Sequence, residues 1–441
     1  MARFRTQLVH GVTVDDNNTG AVNPPIYNSS TYTFSSVEDT PRWDYARSGN
    51  PTREFLERQI AQLEHGCQGF AFSSGLAAIH AALAIFKPGD HIIVGDNIYG
   101  GTYSLVNEHF NRWGLKFHPV DTTDLNAVTA VFNQIEAAGD HVEAIYFETL
   151  TNPLLKVNDT AALAELAQRH DALSIVDNTF LTPYLQRPLD LGVDIVLHSA
   201  TKYLAGHSDV NAGLAVARTR DVAERLYYSL NRIGGILAPT ECDSVRRGIQ
   251  TLALRMDRQQ QNTLAIARFL QNHPAVATVH YPGLADSPYY HLALRELHGC
   301  GGVLSFEVKK GVNPADVLNN LHVFRLAVSL GAVESLAEFP ARMTHFEVPR
   351  EERLKLGISD ELIRLAVGIE DEYDLVEDLR QALDLAERNA VRTTERNRIA
   401  VDADSFQKAF GQDGLESDGT ASATTVRNVS AATDADVPAA C

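Results

Sequence analysis

The sequence predicts an α/β fold in which a mostly parallel central sheet has helices on both faces, followed by a smaller α+β C-terminal domain. Three observations lead to this prediction. Short apolar segments alternate with helical ones up to about residue 216, and these segments are apolar on both faces, as in buried parallel strands. The pattern then becomes more helical, and "GGVLSFEV" at 301–308 opens a smaller α+β segment.

Taken in order, the elements give the predicted domain organisation. Residues 1–50 are rich in Asn, Ser, Thr and Pro, which predicts an extended arm. A helical pattern begins at about Glu54 and ends at Gly66. Four strands follow, with a helix at 161–170 between two of them; the strand ranges are 91–96, 143–149, 172–178 and 193–200. The predicted domains are the arm (1–50), a first domain (51–247), a C-terminal domain (248–388) and a disordered polar tail (389–441).

The composition excludes several classes of protein. A net charge of −18 without a basic stripe argues against nucleic-acid binding. The four Cys residues are scattered and no Cys/His spacing indicates a metal site. The longest apolar run, 75–86, is too short to cross a membrane, and the first residues lack the apolar stretch of a signal peptide. We therefore expect a cytoplasmic protein without a metal, a membrane or a nucleic-acid partner.

Lys202 stands out because the chain has eight Lys against thirty Arg. It lies in "LHSATKYLAGHSD" (197–209), directly after a predicted strand, among small hydroxylated residues. A cation on the surface could equally have been Arg, whereas chemistry that needs an amine could not use a guanidinium. On this stretch alone, a solvated loop residue remains the alternative.

Three other features fall at strand ends or helix starts. Asp177 ends an apolar strand, where its carboxylate needs a partner, although a turn or cap residue is the plainer interpretation. Ser73, Ser74 and Gly75 begin a helical run and form either an N-cap or an anion site. Tyr99 lies on a Gly-rich loop after the strand at 91–96, where its ring can cover a flat ligand.

Pyridoxal phosphate would explain all four features. Its aldehyde needs a lysine amine, its pyridine nitrogen a carboxylate, its phosphate amides and hydroxyls, and its ring an aromatic face. The spacings of metal sites, P-loops and nucleophilic serines are missing from the sequence.

The sequence also resembles the Cys/Met-metabolism family of pyridoxal-phosphate enzymes, which includes cystathionine lyases and synthases. Matching stretches follow the family's order from residue 5 to about 387. They include "DYARSGNPTR" (44–53), "ETLTNPLLKVND" (148–159), "HSATKYLAGHSD" (198–209), "SLGAVESL" (329–336) and "PARMTH" (340–345). The resemblance implies the aspartate-aminotransferase-like fold of pyridoxal-phosphate enzymes, fold type I.

The resemblance also implies roles for single residues. Lys202 would form the Schiff base with the cofactor and move protons at the substrate α-carbon, and Tyr99 would stack on the ring. Asp177 would pair with the pyridine nitrogen. The phosphate would be bound by Gly75, Leu76, Ser199 and Thr201, with Tyr45 and Arg47 reaching it from a neighbouring subunit. Arg364, Asn152 and Ser329 would bind the substrate carboxylate. A homotetramer built from dimers with shared active sites follows from this assignment.

The exact reaction is left open by the sequence. Ala46 replaces a Ser that is common in the family, which is a minor change. Val328, directly before Ser329, stands where γ-lyases and γ-synthases commonly have Glu, so we expect β-elimination from cystathionine to homocysteine, pyruvate and ammonia. γ-Elimination or γ-replacement on the same scaffold is the alternative, as is a non-catalytic relative that only binds the cofactor or a partner.

Overall fold

A computed structural model describes residues 2–12, 19–346 and 348–410. Residues 1–390 form one compact unit, and a second unit begins at 391. The first unit contains both β-sheets. The predicted boundary at 247/248 lies inside it and stays a prediction.

The larger sheet has seven strands in the order β1-β7-β6-β5-β4-β2-β3. Their bounds are β1 (Gln68–Phe72), β2 (His91–Gly95), β3 (Lys116–Val120), β4 (Val142–Glu148), β5 (Leu173–Asp177), β6 (Ile195–Ser199) and β7 (Gly213–Ala217). The pairs from β6 to β3 are parallel, and β7 runs antiparallel to both of its neighbours. The prediction of a mostly parallel sheet is confirmed.

Both faces of this sheet are buried. Ile175 and Val176, adjacent on β5, belong to different core clusters, because successive side chains of a strand point to opposite faces. This arrangement explains why the strands lack polar alternation.

The helices of this part of the chain have clear local causes. They are α1 (Phe4–His10), α2 (Pro51–Glu64), α3 (Gly75–Leu83), α4 (Gly100–Ser104), α5 (Leu125–Ala137), α6 (Thr160–Arg169), α7 (Thr182–Leu185), α8 (Arg220–Ile233) and α9 (Pro239–Gln250). A π-helical turn, Leu105–Phe110, continues α4, and a 3₁₀ turn spans Pro188–Leu191. Helix α2 begins three residues before the predicted Glu54, because Asn50 caps the amides of Thr52 and Arg53 and Pro51 occupies the first turn.

The smaller sheet lies in the C-terminal part of the first unit, in the order β10-β11-β12-β9-β8. Its strands are β8 (Val276–His280), β9 (Val303–Val308), β10 (Arg325–Leu326), β11 (Leu336–Glu338) and β12 (Leu362–Ala366). The remaining helices are α10 (Leu252–Gln271), α11 (Tyr290–Glu296), α12 (Pro314–Leu318), α13 (Arg350–Lys355) and α14 (Glu372–Phe410), with a 3₁₀ turn at Pro340–Arg342.

The C-terminal boundary differs from the sequence prediction. Helix α14 continues to Phe410, so residues 389–410 of the predicted disordered tail are helical. Residues 411–441 lie outside the described residues. Within the described residues, no helix is both long and apolar enough to cross a membrane.

Candidate active site

A cavity of about 270 Å³ opens at the carboxyl ends of β4, β5 and β6, where ligands of such sheets bind. It brings together ten of the predicted site residues: Gly75, Leu76, Tyr99, Asn152, Asp177, Ser199, Thr201, Lys202, Ser329 and Arg364. Because β5 and β6 are neighbours, Asp177 and Lys202 reach the same edge of the sheet.

Tyr45 and Arg47 do not line this cavity. The Tyr45 side chain is exposed, and the Arg47 guanidinium lies 5.6 Å from its ring centre. Arg47 Nη1 donates to the carbonyl oxygen of Asn231 at 2.9 Å. Both residues therefore lie away from the cavity of their own chain.

Lys202 follows β6 in a tight turn, in which its N–H donates to the Ser199 carbonyl oxygen at 3.1 Å. Its Nζ enters the cavity and donates to Ser329 Oγ at 2.8 Å. Burial, together with the nearby positive charge of Arg364, lowers the pKa of Lys202 to about 8. A fraction of the amine is therefore neutral near physiological pH.

Asp177 is the last residue of β5, and its side chain faces the cavity. The Thr179 N–H donates to Asp177 Oδ1 at 2.9 Å. Burial raises the pKa of Asp177, whereas the Thr179 hydrogen bonds and the nearby His198 oppose that shift. A cation placed opposite this carboxylate would add to the stabilisation of its charged form.

The start of α3 forms a narrow site for an anion. Ser74 caps the helix by accepting the Ala77 N–H, which leaves the first-turn amides of Gly75 and Leu76 without intrahelical acceptors. A Cβ on Gly75 would lie 2.9 Å from Ser199 Cβ. Side chains are excluded here, so backbone amides can approach a ligand closely.

The hydroxyl of Thr201 is fixed at the same edge. It accepts the Ala212 N–H at 2.9 Å and lies 3.2 Å from the Ala212 carbonyl oxygen, to which it donates. With Ser199 it places two hydroxyl groups beside the amides of α3.

Tyr99 precedes α4, and its backbone N–H donates to Glu148 Oε1 at 2.7 Å. A Cβ on Gly101 would lie 2.6 Å from the Tyr99 ring, so this glycine lets the ring lie flat against the loop. The ring lines the cavity and is 42% exposed, which leaves an aromatic surface for a planar ligand.

Arg364, on β12, closes the cavity from the smaller sheet. Its Nη1 donates to Asn152 Oδ1 at 3.0 Å and forms an ion pair with Glu338 Oε1 at 3.0 Å, and its Nη2 donates to the Ser329 carbonyl oxygen at 2.7 Å. Its Nε is buried and has no partner within the described residues. Such an orphan donor is costly unless a ligand accepts from it.

Ser329 holds a strained conformation at φ 94°, in the left-handed region that glycine prefers. Its hydroxyl accepts from Lys202 while its carbonyl oxygen accepts from Arg364. One residue therefore positions both cationic groups.

Sequence reasoning missed several residues of the cavity or its wall, among them the polar residues Glu148, Thr179, Asn211, Glu338 and Thr344. Glu148 carried a usable signal, because it ends an apolar strand as Asp177 does. Glu338 carried none, since its importance comes from the ion pair with Arg364 in the folded chain.

The residues fit pyridoxal phosphate on the geometry alone. A lysine amine, a carboxylate, an aromatic face and a helix start closed to side chains line one cavity. The orphan Arg364 Nε adds a donor for a carboxylate.

Comparisons with known proteins agree with this fit. The family model described as Cys/Met metabolism PLP-dependent enzyme matches residues 5–384. A cystathionine beta-lyase of Lactococcus lactis subsp. cremoris is 48% identical over 384 residues, 87% of this chain and 100% of the relative. A cystathionine gamma-lyase of Bacillus subtilis is 48% identical over 380 residues, 86% of this chain and 99% of the relative.

Among solved structures, cystathionine gamma-lyase from Lactobacillus plantarum complexed with L-serine is similar, with a TM-score of 0.84 and 49% identity. The match covers 88% of this chain and 100% of the other.

Proposed function

Because the chain belongs to the Cys/Met metabolism family of PLP-dependent enzymes, we propose that it cleaves cystathionine by β-elimination to homocysteine, pyruvate and ammonia. One observation carries this proposal: the amine of Lys202, the carboxylate of Asp177 and the guanidinium of Arg364 line a single cavity. The chain is an enzyme whose cofactor is pyridoxal phosphate.

When bound, pyridoxal phosphate supplies an aldehyde that captures amines and a ring that takes up an electron pair from the substrate α-carbon. Lys202 would hold the aldehyde until the substrate amine displaces it. The freed Nζ, whose pKa is lowered to about 8, then accepts the α-proton. The same ammonium would donate a proton to the departing sulfur.

The other residues position the reactants. Asp177, as an anion, keeps the proton on the pyridine nitrogen, and the Tyr99 ring covers one face of the cofactor. Arg364 offers its Nε to the substrate carboxylate, since Nη1 is already paired with Asn152 and Glu338. Nη2 gives one of its two hydrogens to the Ser329 carbonyl oxygen, which leaves the other for the substrate. A guanidinium suits this task because two parallel hydrogen bonds fix the orientation of a carboxylate.

We infer a homotetramer in which Tyr45 and Arg47 complete the phosphate site of a partner subunit. Their position outside the cavity of their own chain supports this assignment. The cytoplasmic location stays a prediction of the sequence.

γ-Elimination is the second candidate, and a specific comparison favours it, since the Bacillus subtilis gamma-lyase is as similar in sequence as the beta-lyase. Against it, the cavity wall carries Val328 where a carboxylate would stand in γ-enzymes. γ-Replacement on an acylated homoserine shares the same scaffold.

The keto acid released from cystathionine distinguishes these reactions. Purified holoenzyme is expected to yield pyruvate with equimolar homocysteine. Release of 2-oxobutyrate with cysteine would show that the reaction is γ-elimination and not β-elimination. If the enzyme instead forms cystathionine from cysteine and an acylated homoserine and shows no lyase turnover, the reaction is γ-replacement and neither elimination applies.

A further inference from the structure

Glu148 is a carboxyl group in the cavity to which the proposed mechanism assigns no role. It is the last residue of β4, is only 5% exposed, and pairs in register with Asp177 on the neighbouring parallel strand. Registered residues of parallel strands lie about 4.8 Å apart and point to the same face. The two carboxyl groups therefore share one enclosed space at the end of the sheet.

We propose that Glu148 is a protonated positioning residue, whose neutral carboxyl group holds the backbone N–H of Tyr99 and leaves the negative charge of the pair on Asp177. The inference deepens the proposed function, on which the roles of Tyr99 and Asp177 rest. Glu148 thereby connects Tyr99, which would cover the face of the cofactor ring, with Asp177, which would pair with the ring nitrogen.

Two carboxylates that share one enclosed space on neighbouring strands cannot both ionise at neutral pH without a large cost. Asp177 is the better anion because the Thr179 N–H donates to it, and the Thr179 side chain and His198 favour its charged form. A pyridinium would favour its charge further. Burial and the charge of Asp177 raise the pKa of Glu148 well above its usual range, although backbone amides oppose the shift.

The groups around Glu148 come from several elements. Of the titratable or charged groups near this pair, Asp177 on β5, Lys202 after β6 and Arg364 on β12 line the cavity, whereas Tyr146 on β4 and His198 on β6 are buried outside its lining. Asp177 is the neighbour with which Glu148 is in register. The protonation state of Glu148 is therefore determined by its proximity to Asp177 and by its burial.

The geometry explains why this proton matters for position. Glu148 Oε1 accepts the Tyr99 N–H at 2.7 Å, and that bond fixes the loop at the start of α4. A charged Glu148 would face Asp177 and be driven from it, and Tyr99 would move with it. Gln keeps the shape, the neutral charge and the acceptor oxygen of the protonated acid, whereas Asp is one methylene too short.

The direct test is infrared spectroscopy of the holoenzyme between pH 6 and 8. The wild-type minus Glu148→Gln difference spectrum is expected to contain the C=O stretch of a protonated carboxylic acid. Glu143→Gln, a matched change on the same strand but outside the cavity lining, is expected to give no such band. The other glutamates with raised pKa values, Glu57, Glu296 and Glu338, cancel in the difference.

Cofactor affinity provides the second readout. Glu148→Ala and Glu148→Asp are expected to weaken pyridoxal phosphate binding about tenfold, since each leaves the Tyr99 N–H without its acceptor. Glu148→Gln, which keeps the shape and the acceptor oxygen without a charge, is expected to restore most of that affinity, whereas a role that needed a carboxylate charge at this position would not predict this.

The proposal fails if Glu148→Gln binds the cofactor as weakly as Glu148→Ala, or if no acid band is lost. Should Glu148→Gln not fold, the wild-type minus Glu148→Ala difference spectrum takes its place, and the absence of an acid band from that spectrum at pH 7.5 would equally overturn the proposal. These outcomes do not depend on the reaction. An unexpected keto acid from cystathionine would refute the proposed reaction and leave the infrared result standing.

Discussion

Replacing Arg364 by Lys tests the proposed substrate site most directly. The guanidinium is fixed by Asn152, Glu338 and the Ser329 carbonyl oxygen, and its Nε is buried without a partner. Lys keeps the charge and can still pair with Glu338, so the fold avoids an unpaired buried carboxylate. It cannot donate two parallel hydrogen bonds to a carboxylate.

The expected magnitude follows from that lost contact. A hydrogen bond between charged groups contributes about 1.5–3 kcal/mol, so kcat/KM for cystathionine should fall about 10- to 150-fold. The bond exists in the ground state and in the transition state, because the carboxylate takes no part in the chemistry. The loss should therefore be seen mainly in KM.

The assay is steady-state release of keto acid by holoenzyme, with the cofactor content verified by absorbance. Arg353→Lys is the matched control, because Arg353 is also a buried arginine, paired with Asp360 and the Ile358 carbonyl oxygen, yet lies outside the cavity lining. Its kinetic constants should stay near those of the wild type. An Arg364→Lys enzyme with kcat/KM within about threefold of wild type would refute the assignment.

Three further predictions use other parts of the site. Loading of apoenzyme with pyridoxal phosphate needs the neutral amine of Lys202, so the loading rate should rise about tenfold per pH unit and level off near pH 8. With an ordinary lysine the rate would continue to rise to about pH 10.4. A plateau near pH 10 would therefore show that the amine is unperturbed. Arg364→Gln should move that plateau to higher pH, because a nearby positive charge is removed. Mixing Arg47→Ala with Lys202→Ala subunits should restore part of the lyase activity through hybrid dimers, and no rescue despite demonstrated subunit exchange would contradict the shared site. Gly213→Ala would place a Cβ 2.0 Å from a backbone oxygen at the start of α3 and should weaken cofactor affinity by at least tenfold, whereas Gly235→Ala, with 3.6 Å to its nearest neighbour, should not.

The strands predicted from the sequence are those whose burial on both faces gives a short, continuous apolar run in the sequence. β2, β4, β5 and β6 are short apolar runs covered on both faces, and their alternation with helices predicted the parallel sheet. Their order also let Asp177 and Lys202 be expected at one edge, which the pairing of β5 with β6 bears out.

Three strands of the same sheet were missed for physical reasons. β3 is an edge strand that contains Pro119 and polar residues, and only its position at an edge tolerates the missing N–H. β1 is the other edge strand and begins with Gln and Gly. β7 is buried, but its sequence of Gly, Ala, Leu and Val carries no period that distinguishes a strand from a helix.

The contacts of Arg364 could not be predicted from local pattern. It lies 162 positions after Lys202 in sequence, on a different sheet, and its partners Asn152, Glu338 and Ser329 come from three other segments. Only resemblance to a family placed it in the site. Glu148, by contrast, repeats the signal of Asp177, and weighing both strand ends equally would have predicted it.

Arg364 connects substrate binding to the strength of the base. Its positive charge is the second cause, after burial, that lowers the pKa of Lys202, and Glu338 partly offsets it. A substrate carboxylate on the Nε and Nη2 edge would cancel more of that charge and raise the proton affinity of Nζ. The amine would thus be neutral enough to capture the cofactor aldehyde in the absence of substrate, and more basic once the substrate is bound and its α-proton lies within reach. A guanidinium that pairs with Glu338 through Nη1 and keeps its Nε for the substrate produces this change without any movement of the fold.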